Sequence, residues 1–316
     1  GFDWLDTLSH EYVHYLLTKK SRNTLPLWMH EGIAKMLESR WRGEKKYLTP
    51  LMETILADGL AQDYLVSLDR MMPSFAKLET AEDVQLAYAE VSTMVEYLTE
   101  TQGEPALATL LEDLASGVPF EKALGEGVGT DLPTFQENWK RYMKTQKELK
   151  SIPGLRVLKI RFKKDRSLEE QEKDYREVGS RRAQDLTFLG DILKSRNEYK
   201  AALLEYEKAF EANKTENPIL YNKLAGTYMV TQEYDRAETL LTRSLRYYPT
   251  FHTTLVNLGE LYLQTGRTQP ARDSFEKALR INPFNPIVHE RLIQIYDRLQ
   301  MPEQKKTQEN LYGYLQ

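Results

Sequence analysis

A chain of 316 residues is long enough for two units that each bury a core, and 41% apolar with 28% charged residues is the balance of a globular protein. A net charge of −4 gives no general attraction to nucleic acid, and the absence of cysteine excludes disulfides and thiolate chemistry. No apolar run reaches the roughly eighteen residues of a membrane-spanning helix.

The first informative stretch is His10-Glu11-Tyr12-Val13-His14, which holds two of the five histidines. On a helix, residues four apart stand one above the other, so both imidazoles can reach a single metal ion with Glu11 beside it. A catalytic zinc takes three protein ligands and a water, and a neighbouring carboxylate can take the proton of that water. This is the H-E-x-x-H pattern of metalloproteases. The third ligand is expected from the next apolar-periodic stretch, 27–34, which follows Pro26. Its candidates are Glu31 and His30. Successive helical positions point about 100° apart, so only one of the two can face the ion.

His10 to His14, followed by Trp28, Glu31, Gly32 and Ala34, resembles the gluzincin metallopeptidases. The Leu27-Trp28-x-x-Glu31-Gly32-x-Ala34 run is similar to the corresponding segment of aminopeptidase-N-like enzymes. Closer still is the bacterial peptidase MA-like domain, often fused to tetratricopeptide repeats, in which an Ala-Tyr-Ala helix follows the metal region as Ala87-Tyr88-Ala89-Glu90 does here. The resemblance spans residues 1–145. It implies a zincin-like fold with Zn²⁺ held by His10, His14 and Glu31 rather than His30, and Glu11 as general base. It also implies a tyrosine that donates to the oxyanion; Tyr88 is the candidate, with Tyr12, Tyr47 and Tyr64 as alternatives. The family has a β-sheet ahead of the metal helix, and none precedes it here. The expectation is therefore a fragment, a processed form or a sheet supplied from elsewhere, with Phe2, Trp4, Leu5 and Leu8 covered by a partner chain or by the following helices.

Further along, Glu38 lies two turns beyond Glu31 and is placed to support a ligand histidine, or else is a solvated helix carboxylate. A polar turn over 42–50 leads to a short helix over 51–58 and a loop over 65–75 with one helical turn near Leu68. Val84, Ala87, Tyr88, Val91, Met94, Val95 and Leu98 recur at three and four residues and predict a helix over 80–100 with one buried face. Helices follow over 105–116 and 119–124. The Gly125-x-Gly127-x-Gly129 run lacks the strand, lysine and spacing of a nucleotide loop and is read as a flexible connection. A last helix over 132–145 closes a peptidase-like domain, 1–146. Residues 147–182 form a linker dense in both charges, with strand-like alternation over 155–162.

From residue 183 the chain repeats. Leu189-Gly190, Leu224-Ala225 and Leu258-Gly259 recur at intervals of 35 and 34 residues, with Ala202, Ala237 and Ala271 in one column and Tyr206, Leu241 and Phe275 in another. This resembles the tetratricopeptide repeat, a solenoid of antiparallel helix pairs. Three full repeats, 183–217, 218–251 and 252–285, precede a partial or capping unit, 286–316. Asn222, Thr227, Asn257 and Glu260 are expected to be exposed on the concave face, and His252 and His289 at the surface or in caps.

The fold class is thus mainly α, a helical catalytic half without its sheet followed by an α-solenoid. The function expected is zinc-dependent hydrolysis of peptide bonds, of endopeptidase type, with the repeats binding substrate or a partner protein. The alternative is a weakly catalytic or non-catalytic scaffold that docks partners. The resemblance implies a bacterial cell-envelope setting, periplasmic or exported.

Overall fold

The computed structural model describes residues 2–158 and 175–315, and every regular element among them is helical. The chain divides into two compact units, Leu5–Ile152 and, in the main, the residues from Pro153 onward. Residues 155–158 are not a strand; the rest of the predicted strand and most of the charged linker lie outside the described residues.

The first unit is built around one long helix. Its elements are α1 (Trp4–Lys20), α2 (Leu27–Leu37), α3 (Pro50–Gln62), the single turn α4 (Leu68–Met71), α5 (Ala81–Gln102), α6 (Glu104–Ser116), α7 (Phe120–Val128) and α8 (Leu132–Thr145). α5 starts where Thr80 accepts a hydrogen bond from the Asp83 N–H at 3.0 Å, and it runs to Gly103, whose positive φ ends it. Ala87, Val91, Val95 and Leu98 are fully buried, and α2, α3, α6, α7 and α8 all pack on this helix. Each of these valine and leucine side chains contributes about 1.5–3 kcal/mol by leaving water. The Trp139 indole of α8 is buried beside α5 and stays satisfied by donating to Thr93 Oγ1 at 3.2 Å.

α2 approaches α5 through Gly32, where a Cβ would stand 2.5 Å from the Val91 carbonyl oxygen. A glycine here lets the two backbones meet. The run of glycines read as a flexible connection is helical instead: Gly125 and Gly127 lie within α7. Ala123 and Leu124 are buried in the core, and Gly129, at φ +78°, closes the helix by donating to the Gly125 carbonyl at 2.8 Å. Burial of one apolar face overrides the low helix propensity of glycine.

α1 buries Val13 and Leu17 but leaves Leu8, Tyr12, Tyr15 and Leu16 exposed on its outer side. Phe2 and Trp4 are exposed as well, so of the four residues expected to be covered only Leu5 is half-buried.

Among the described residues the second unit contains four helix pairs: α9 and α10 (Arg181–Ser195, Tyr199–Ala212), α11 and α12 (Pro218–Val230, Tyr234–Tyr247), α13 and α14 (His252–Gln264, Thr268–Ile281), and α15 and α16 (Pro286–Arg298, Pro302–Gly313). The stretch read as a partial or capping unit therefore forms a whole pair. Small and large residues face each other inside the pairs. A Cβ on Gly190 would stand 2.5 Å from the Tyr206 ring, and one on Gly259 2.6 Å from Phe275. The turn within each pair places one residue in the left-handed region, at Asn197, Gln232, Gly266 and Gln300, so the backbone repeats even where the side chain does not.

Asn222 and Thr227, expected on an open face, are buried. Asn222 donates to Thr254 Oγ1 at 2.6 Å and accepts from half-buried Asn257 at 2.8 Å, while Glu260 accepts from Arg291 at 2.6 Å. These polar groups join successive repeats because each can satisfy its neighbour away from water. His252 and His289 are likewise buried rather than superficial. His252 meets Asn285 at 3.4 Å, and His289 contacts Gln308 Oε1 at 2.6 Å and the Pro283 carbonyl at 2.8 Å.

Candidate metal centre

α1 sets His10 and His14 one turn apart, and α2 brings Glu31 against both. Glu31 Oε2 lies 3.4 Å from His10 Nε2 and 3.6 Å from His14 Nε2. One ligand atom from each of the three lies within 4.8 Å of the others, and no other such group of His, Asp or Glu occurs among the described residues. The same Oε2 is buried and makes no hydrogen bond. A desolvated carboxylate oxygen that faces two ring nitrogens without a hydrogen bond to either is incompletely satisfied, and a cation between it and those nitrogens would satisfy all three.

The remaining ring nitrogens are held from outside. His10 Nδ1 lies 3.2 Å from Glu38 Oε2, and the other oxygen of Glu38 accepts from Lys35. His14 Nδ1 lies 3.1 Å from His30 Nδ1. Burial, reinforced by the charge of His14, lowers the His30 pKa, which suits the neutral ring to accept a proton bond from His14. Engaging Nδ1 in this contact leaves His14 Nε2, the nitrogen nearer Glu31, as the atom available to an ion. His30 is thus in contact with the candidate ligand His14, and only the turn of α2 toward α1, invisible in periodicity, reveals it. Lys35 was missed for the same reason.

Electrostatics bind the three groups together. Burial opposes the charged form of His10, yet Glu31 and Glu38 outweigh it and raise the imidazole to about 9. Burial also opposes ionisation of Glu31, but the two histidines hold its carboxyl down at about 2.

Glu11 is exposed on α1, free to meet a molecule arriving from solvent. Tyr88, on α5, has its ring 6.4 Å from that of His10 and packs on Phe75 at 4.9 Å. Burial and then the charge of Glu31 raise its pKa, so it remains a phenol and a donor. The alternative tyrosines are occupied elsewhere. Tyr47 donates to Glu96 at 2.8 Å and Tyr64 to Asp83 at 2.7 Å, while Tyr12 is exposed and stacks on Tyr15.

Comparison with known proteins adds a family to this geometry. Residues 3–145 match the Peptidase MA superfamily. Residues 216–283 match the tetratricopeptide repeat. Among curated proteins, the chain is 28% identical over 115 residues to the uncharacterized protein ycf37 of Guillardia theta, covering 35% of this chain and 65% of that one. It is 25% identical over 107 residues to the small glutamine-rich tetratricopeptide repeat-containing protein 2 of Mycosarcoma maydis, covering 34% and 30%. The chain therefore spans less than two thirds of the length of both. A solved structure titled as the first TPR of Spaghetti (RPAP3) bound to HSP90 peptide SRMEEVD aligns at 21% identity and a TM-score of 0.37, over 39% of this chain and 98% of that one.

Proposed function

We propose that the first unit hydrolyses peptide bonds with zinc held by His10, His14 and Glu31. The observation that carries this reading is the convergence of two Nε2 atoms on a buried carboxylate oxygen that has no hydrogen-bond partner. Glu31 Oε2 stands 3.4 and 3.6 Å from the two Nε2 atoms, and one ligand atom from each of the three residues lies within 4.8 Å of the others, a spread a single ion could bridge.

When bound, zinc supplies a Lewis acid that polarises the attacking water and the substrate carbonyl. The residues of the chain do the rest. Glu11 takes a proton from the water as it attacks the peptide carbonyl and passes that proton to the departing amine. Tyr88 donates its hydroxyl hydrogen to the carbonyl oxygen as negative charge develops there, which stabilises the transition state more than the ground state. Glu38, steadied by Lys35, and His30 keep the two imidazoles oriented.

In this reading residues 1–146 are the peptidase, 147–182 a linker, and 183–316 a repeat domain that binds substrate or a partner protein. A bacterial envelope location follows from family resemblance. A second reading, a scaffold that docks proteins through a peptidase-like half, draws support from the exposed apolar outer side of α1. Metal content and hydrolysis of an unfolded polypeptide separate the two. Zinc near one per chain, lost in H10A, H14A and E31A, with hydrolysis abolished in E11Q while its zinc remains, supports the enzyme. A zinc-free, inactive parent after zinc is supplied supports the scaffold.

A further inference from the structure

The short 3₁₀ turn Arg40–Arg42 that follows α2 runs back along α1. Glu31 meets α1 between His10 and His14, Glu38 meets it at His10, and Trp41 and Arg42 meet it at Asp6, four residues before His10. Asp6 and His10 share one face of the helix, separated by about 5.4 Å, the rise of a single turn. Asp6 Oδ1 accepts from the Trp41 indole N–H at 2.9 Å and from Arg42 Nε at 3.0 Å, and Oδ2 accepts from Arg42 Nη2 at 2.8 Å. The polar edge of the indole is therefore fixed, while 47% of the residue stays in contact with solvent.

An aromatic ring that is both anchored and half-exposed beside a reaction centre is a preformed contact for an apolar group. Its orientation is already set, so a ligand that covers it loses little further freedom. Resting on the peptidase reading above, we propose that Trp41 is a specificity-determining residue: a shelf that receives an apolar or aromatic side chain of an unfolded polypeptide. Asp6 and Arg42 are positioning residues that hold the ring in place. The substrate class is then unfolded protein segments rich in apolar residues rather than polar or charged peptides.

The test uses the full-length, zinc-loaded E11Q chain, whose impaired base lets binding be measured apart from turnover. The probes are labelled decapeptides, identical except for a single Phe or Ser moved along the sequence, read by fluorescence anisotropy. At one position the Phe peptide should bind at least roughly tenfold more tightly than its Ser counterpart, the scale of an apolar pocket contact. Adding W41A should remove that preference with zinc content and melting transition unchanged, and adding W41F should keep most of it. A background that prefers neither peptide, or a W41A variant that keeps the full preference, overturns the shelf. The peptidase reading is judged separately by cleavage in the parent: a shelf that binds without any cleavage leaves that reading refuted and this one standing. Cleavage indifferent to both Phe and Trp41 does the reverse.

Discussion

His14 Nδ1 and His30 Nδ1 face each other at 3.1 Å, a contact between a metal-ligand candidate on one helix and the residue beside another ligand candidate on the next. It fixes which nitrogen of His14 is left for an ion. Removing the acceptor in H30A should weaken zinc binding by about 10–100-fold, the usual effect of losing a group that orients a ligand. Competition with a chromogenic chelator measures this, and an unchanged affinity would remove His30 from the site.

Metal uptake should release a proton. With His10 raised to about 9 by Glu31 and Glu38, the metal-free imidazole is charged at neutral pH, and an ion must displace that proton. Apparent affinity should therefore rise about tenfold per pH unit between pH 7 and 8.5. Without metal the sign is reversed: the raised imidazole contributes stability that is complete below its ordinary 6.5 and lost as pH climbs through about 9. Calorimetric titration in two buffers of different ionisation enthalpy counts the protons.

Glu90 offers a pH test away from the site. It is buried, accepts from the Val66 N–H at 2.8 Å, and is pushed up to about 8 mainly by burial. A raised carboxyl costs nothing below its ordinary 4.5, then loses folding stability progressively until pH passes 8. E90Q retains the carbonyl acceptor without the charge, so it should melt near the parent at pH 4 and several degrees higher at pH 9. Equal shifts at both pH values would refute this account.

The repeats predict a paired substitution. G190A alone should destabilise by about 1–3 kcal/mol, because the new methyl meets the Tyr206 ring. Combined with Y206L it should recover part of that loss, since Ala225 and Leu241 already occupy the equivalent places in the next pair. Denaturant unfolding of the single and double variants reads the coupling.

Gln232 sits at φ +64° where the following pair has Gly266 at +75°. Q232G should stabilise the protein by up to about 1 kcal/mol by relieving a left-handed glutamine. A lowered melting temperature would show that the side chain of Gln232 matters more than its backbone.

Much of this was legible because helices write a period of three and four into their apolar positions. The α5 pattern located that helix to within two residues at either end, and H-E-x-x-H with Glu31 nominated three groups that the fold brings together. Periodicity says nothing about which faces of two helices meet, so the contacts of His30 and Lys35 could not be read from it. Gly125 and Gly127 misled because glycine marks turns by local preference, whereas burial of Ala123 and Leu124 decides the helix. Asn222, Thr227, His252 and His289 looked superficial because a polar side chain announces water, and only stacked repeats supply its partners.

Gly32 has one more consequence. Because α2 meets α5 at the Val91 main chain, with the Val95 Cγ2 methyl the one side-chain atom among the three nearest neighbours, the depth at which Glu31 stands is set largely by the thickness of a main chain. Tyr88 lies one turn earlier on that same α5. A single added methyl at position 32 would therefore shift an acid and a phenol relative to each other without touching either, and the chemistry would be detuned by spacing alone.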